Sequence, residues 1–285
     1  DLAGNEGRAS MALINDTLPP QGYALALSHN RLNAATRNVL QLVLTGAEVG
    51  SVCDYRIADP VGGVLAGSFP VAATTQSSPT LDVGVLADGP LVVSAWLSDV
   101  AGNRGTKIAA EVSMDTVPPA GYSLTLGQGV INAANQGQLG FTVSGCEADA
   151  TGSVTVTSSG GGGSVTAAFA VTGDVSVGGP VDVAVLPDGT LRVSVALTDS
   201  FGNRGQAVQA EVLKDTVLPA PPQVEAWSPA VSLATVGAFA FAGQGEPLSE
   251  VLYAISSSGG GAPVVGVAQV GADGRFAVAG VDLAG

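Results

Sequence analysis

The sequence has one histidine, two cysteines, ten basic residues and few aromatics, and each shortage closes off a class of chemistry. His29 stands alone, with no cysteine at metal-ligand spacing and no nucleophile motif. It builds neither a catalytic triad nor a zinc site and reads as a surface-loop residue. The chain is therefore not expected to be an enzyme. Ten Lys and Arg face 24 Asp and Glu, a net charge of −14. Such a surface repels phosphate, which makes nucleic acid a poor partner, and attracts cations. Aromatic residues make up 5% of the chain, too few for the stacked platform of a sugar-binding module. Trp96 and Trp227 are isolated. Cys53 and Cys146 are not expected to pair with each other. Cys53 reads as a buried apolar thiol, and the loop position of Cys146 leaves open its exposure and a cross-link between chains. No apolar run reaches the roughly 18 residues of a membrane-spanning helix, and no secretory signal is visible.

What the chain does have is glycine, 40 residues of it, among many short Ala- and Val-rich segments. It also has an internal repeat. "DLAGNEG" at Asp1 returns as "DVAGNRG" at Asp99 and "DSFGNRG" at Asp199. "NDTLPP", "MDTVPP" and "KDTVLP" carry Asp16, Asp115 and Asp215. "LNAA" at Leu32 matches "INAA" at Ile131, and "TGAE", "SGCE" and "GQGE" end at Glu48, Glu147 and Glu246. Asp82, Asp182 and Asp282 form a further series. All steps lie between 98 and 100 residues. A fixed period of this kind signals a tandem array. The two "DLAG" stretches, at Asp1 and Asp282, therefore belong to different parts of the repeat: the first to a loop, the second to a strand. The expected division is 1–15 as the terminal strand of a preceding repeat, then repeats at 16–114, 115–214 and 215–285. The last stops before its final two strands, as in a slice of a longer array.

Within a repeat the apolar residues alternate. Leu191, Val193, Val195 and Leu197 share one face, with Arg192 and Ser194 on the other, the pattern of a half-buried strand. "SSGGGGS" (158–164) and "SSSGGGA" (256–262) have no "GK[ST]" and no following helix, so they read as hairpin turns. About seven strands in about 100 residues describe an all-β chain of tandem immunoglobulin-like β-sandwiches. The paired cysteines and third-strand Trp of antibody domains are missing. The ordered set "D-x-x-GN-x-G", "DT-x-x-P", "INAAN" and "F-x-V-x-G…E…GSVTV" resembles the bacterial immunoglobulin-like repeats of giant surface adhesins and biofilm proteins. The third repeat departs from it, with "AWSPAVSLATVGAFAF" in place of "INAAN".

Lettering the strands A to G, the B–C and F–G loops of a sandwich return to the end where the linker arrives. Asp115 from the linker, Glu147 from the B–C loop, and Asp199 and Asn203 from the F–G loop are thus expected to gather. So are Asp16, Glu48, Asp99 and Asn103 at the preceding junction. Asp215 and Glu246 are the corresponding residues at the following one. Crowded carboxylates favour calcium, which takes about six to eight oxygen ligands in irregular geometry. The competing explanation is that each Asp closes its own turn. At the opposite end, Asp188, Asn132 and Asn135 read as turn residues. The resemblance implies calcium at the junctions and a structural stalk on the bacterial cell surface, extracellular, whose partners are the neighbouring repeats. The alternative is a self-assembling filament, sheath or surface-layer subunit with lateral or head-to-tail self-association; an accessory sugar-binding module ranks last.

Overall fold

The computed structural model describes residues 2–11, 15–227 and 230–284. Asp1, the first residue of the first loop motif, lies outside them, as do Ala12–Ile14 within the strand expected of a preceding repeat. Residues 2–4 form a turn and 5–11 carry no strand. The chain divides into two compact units, Asp1–Asp215 and Thr216–Gly285.

The first unit contains two β-sandwiches of the same topology. In the first, β1 (Ala24–Leu27), β3 (Leu42–Thr45) and β6 (Thr75–Ser77) form one sheet in the order β1-β3-β6. The facing sheet contains β2 (Arg31–Leu32), β4 (Val52–Ala58), β5 (Val64–Pro70), β7 (Gly89–Ser98) and β8 (Ile108–Met114), in the order β2-β8-β7-β4-β5. In the second sandwich β9 (Ser123–Leu126), β11 (Leu139–Ser144) and β14 (Val175–Val181) form the three-stranded sheet. β10 (Val130–Ile131), β12 (Thr151–Ser158), β13 (Gly161–Ala170), β15 (Gly189–Thr198) and β16 (Val208–Lys214) form the five-stranded one. Sheets A-B-E and C-F-G plus an outer strand are the immunoglobulin-like plan, with β7 and β15 in the place of F.

Alternation explains why these segments are strands. Leu191, Val193, Val195 and Leu197 have no exposed surface, while Arg192 on the other face is exposed. Fully burying one such side chain contributes about 1.5–3 kcal/mol, so sliding β15 by one residue would forfeit the whole set. Each sandwich has its own core, one centred on Leu42, Ile57 and Leu97, the other on Phe141, Val156 and Leu197. "SSGGGGS" does turn a hairpin, between β12 and β13.

Two readings change. Cys146 is not exposed: it is buried in the second core, its Sγ 3.5 Å from the Val143 carbonyl. The loop that carries it turns the small apolar thiol inward and leaves Glu147 outside. Asp82, Asp182 and Asp282 are not strand residues. Asp182 and Asp282 follow strands that end at Val181 and Val281, Asp82 follows an isolated bridge at Leu81, and each accepts a backbone N–H from two residues on, at 2.9 Å. That local bond ends the ladder. Trp96 packs locally, with the Arg104 guanidinium over its ring, 4.0 Å from the centroid.

The second unit pairs β17 (Gln223–Trp227), β18 (Phe239–Gln244) and β21 (Arg275–Val281) in one sheet. β19 (Glu250–Ile255) and β20 (Val264–Gln269) form a hairpin, whose turn holds the glycines of "SSSGGGA". Its core is smaller, with Phe241 edge-to-face against Tyr253 and Phe276. Among the described residues no helix is long and apolar enough to cross a membrane.

Candidate functional site

The "D-x-x-GN-x-G" marker is the loop between β15 and β16, and between β7 and β8. Asp199 Oδ1 accepts the N–H groups of Phe201 and Asn203, both at 2.8 Å, and its Oδ2 accepts the Asn203 side-chain amide at 2.8 Å. Asp99 makes the same three bonds to Ala101 and Asn103. The asparagine then reaches the arriving linker. Asn203 Nδ2 donates to the Asp115 carbonyl at 2.8 Å, and Asn103 Nδ2 to the Asp16 carbonyl at 3.0 Å. The second glycine of the marker is explained by the same approach: a Cβ on Gly205 would lie 2.3 Å from the Pro119 carbonyl oxygen. Tyr122 completes the anchorage, accepting the Leu197 N–H at 3.3 Å and donating to the Gln206 carbonyl at 2.5 Å. The two sequence markers "D-x-x-GN-x-G" and "DT-x-x-P" are thus the two halves of one loop–linker contact.

Turn chemistry is present at every one of these aspartates, and it consumes only part of each. Asp115 Oδ1 accepts the Val117 N–H at 3.0 Å, as Asp16 Oδ1 accepts that of Leu18. Beyond those turns, Asp115, Glu147 and Asp199 each offer one carboxylate oxygen, and these three atoms lie within 4.8 Å of one another. They are the only such group of acidic, histidine or cysteine ligands among the described residues. Asp199 is buried, Asp115 half-buried and Glu147 exposed. Among the described residues, no ion pair joins a basic side chain to any of the three.

The electrostatics follow from the placement. The Glu147 carboxyl is held above its ordinary value, first by loss of water around it and then by the charges of Asp199 and Asp115. Asp99 is held below the usual carboxylate range, chiefly by the Asn103 side chain and then by backbone N–H groups. Two unit charges about 4 Å apart repel by about 1 kcal/mol in water and about 4 kcal/mol in a surface-like medium. A divalent cation among them turns repulsion into attraction. The oxygens present, carboxylates with carbonyls beside them, are the hard donors that calcium takes.

Of the ten residues singled out in the sequence, Asp115, Glu147, Asp199 and Asn203 come together. Asn103 joins Asp16 and Asp99, but Glu48 does not close on them as Glu147 does. Its carbonyl accepts bonds from Ser51, much as the Glu147 carbonyl accepts the Ala150 N–H. Asp215 and Glu246 fall on opposite sides of the division between the two units. Sequence reasoning missed Arg31 and Asn33, which touch the loop of the second sandwich. The available signal was the recurrence of "LNAA" and "INAA".

No protein-family model matches the chain, and no curated protein matches it. Solved structures do show similarity. A tetra-tandem repeat from the extending region of a large adhesion protein is 23% identical, over 92% of this chain and 66% of that one, with a TM-score of 0.31. The chain thus spans just under two thirds of that segment. A structure described for host cell surface retention of a 1.5-MDa bacterial ice-binding adhesin is 20% identical, over 94% and 90%, with a TM-score of 0.41. A two-domain fibronectin type III segment of chicken tenascin is 15% identical, over 68% and 98%, with a TM-score of 0.29. The fold assignment rests on the sheet topology and cores described above, not on these similarities.

Proposed function

We propose that the chain is a structural stalk segment of a large extracellular bacterial surface protein, and that calcium stiffens its repeat junctions. The observation that carries this reading is the convergence of Asp115, Glu147 and Asp199 where the linker meets two loops of the second sandwich. The repeat boundaries at 16–114, 115–214 and 215–285 belong to the same reading, as do the cell-surface location and the neighbouring repeats as partners. In a tandem array, stability is set by each unit and by its interface with the next. A stalk therefore needs a defined angle at each junction and no catalytic group.

When bound, calcium would supply the positive charge that the cluster lacks, joining linker to loops. The chain's own residues prepare the place. Asp199 and Asn203 hold the loop closed, and Asn203 draws the Asp115 backbone against it. Calorimetry tests the proposal. Calcium at about a hundred times its dissociation constant is expected to add about 2.7 kcal/mol to the stability of the repeats that bind it, and chelator to remove it. Identical melting in calcium and chelator would sink the calcium reading. Asp115→Ala is expected to abolish the calcium response while both sandwiches stay folded.

A further inference from the structure

The downstream tip of the first sandwich touches the second through contacts that involve no carboxylate. β2 and the turn that follows it present Arg31, Asn33 and Ala34 to the β15–β16 loop. Arg31 Nη1 donates to the Ser200 carbonyl at 2.9 Å, and its guanidinium lies over the Phe201 ring, 5.3 Å from the centroid. Asn33 Nδ2 donates to the Phe201 carbonyl at 2.9 Å. The Ala34 N–H donates to Asn203 Oδ1 at 3.0 Å. Asn203 is therefore fully engaged: its oxygen holds the preceding sandwich and its amide holds the linker and Asp199. It is only 5% exposed, whereas Asn103 in the first sandwich is half-buried. Gly202, at φ +90°, has Asn33 Nδ2 only 3.2 Å from where a Cβ would stand, while the space beside the equivalent Gly102 is open.

Part of this contact recurs in the sequence and part does not. Asn33 and Asn203 have counterparts in Asn132 and Asn103. Arg31 corresponds to Val130, and Phe201 to Ala101. Valine has no donor for the Ser200 carbonyl, and alanine has no ring to receive a cation. We propose that the β2–β3 turn of the first sandwich is a keyed socket for the β15–β16 loop of the second. The shared asparagines seat the loop, and the Arg31–Phe201 pair marks this junction as distinct from its neighbours. The socket holds the two sandwiches without any cation. This deepens the stalk reading by assigning part of the junction stiffness to the protein itself.

The test uses the full chain with spin labels at Ser68→Cys and Ser164→Cys, both exposed, the native cysteines being buried. Distance distributions are measured in chelator. The expected result is a narrow distribution for the parent chain, lost in Arg31→Val and in Phe201→Ala. Each substitution installs the residue that a sibling repeat carries, so folding is expected to survive; circular dichroism melting checks it. A broad distribution in the parent chain in chelator overturns the proposal, and so does a narrow one that neither substitution alters. Adding calcium to the two variants tests the cation site separately. A narrowing there supports the calcium reading and leaves the socket result, taken in chelator, standing on its own.

Discussion

Glu147 is a carboxyl whose ionisation the fold disfavours. Its folded value is raised, so the folded state binds its proton more tightly than the unfolded chain does. Without a cation, stability is expected to fall as pH rises above the ordinary carboxylate value and through the folded one. Asp99 has the opposite sign: its folded value is lowered, so its contribution is present above the ordinary value and lost as pH falls through the folded one. Melting temperature against pH, in chelator, separates the two. Glu147→Gln sharpens the point. In chelator at neutral pH it is expected to raise stability by less than about 1 kcal/mol, because the group is exposed. In calcium it is expected to lower stability, since it removes a ligand. Calorimetry that shows the same sign in both conditions would count against the cation site. Gly205→Ala is expected to destabilise the second sandwich by about 1–3 kcal/mol, because backbone oxygen, not a flexible side chain, blocks the new methyl.

At the scale of the element, β15 is the strand that ties core to site. Its inward residues anchor the second core, and its last residue leads directly into Asp199. Leu197→Ala is expected to cost about 2–5 kcal/mol, read as a shift in denaturant midpoint. The partner strand β16 ends on a contrast between the sandwiches. Lys214 is buried and donates to the carbonyls of Val183, Ala184 and Leu186 at 3.0, 3.2 and 2.5 Å. The equivalent Met114 is an apolar member of the first core. Lysine's long stem packs like methionine while its ammonium secures the loop after β14. Lys214→Ala removes both packing and bonds, whereas Lys214→Met keeps the packing. Equilibrium unfolding is therefore expected to rank alanine as the worse substitution, by about 1–3 kcal/mol.

For the molecule as a whole, the two thiols report on integrity. Burial, aided by the Asp54 charge, pushes Cys53 up to about 12, so it stays protonated at neutral pH. Cys146 is shielded in the second core. Neither is expected to react with a thiol reagent in the native chain, and both are expected to react in denaturant. Rapid labelling of the folded chain, or a disulfide-linked dimer on a non-reducing gel, would contradict the buried placement. The same shielding removes Cys146 as a route to cross-linked chains, one of the ideas its loop position had raised.

Strand alternation in β15, the closing turns at Asp99 and Asp199, and the repeat period are all local or periodic patterns, and all were legible in the residues. Backbone conformation answers to neighbours a few positions away, so a linear reading recovers it. The topology even brought Asp115, Glu147 and Asp199 to the correct end of the sandwich. It did not tell why Glu147 closes on its partners while Glu48, in an almost identical marker, does not. It also left the exposure of Cys146 open, although this thiol, one residue from an exposed glutamate, points into the core. Contact between side chains far apart in sequence depends on loop positions to within an ångström, and those are set by packing of the whole sandwich. The docking of Arg31 on Phe201 lies further still from any linear signal. Arg31 lies outside the recurring markers and Phe201 fills a variable position of one, so only the meeting of two folded surfaces makes them a pair.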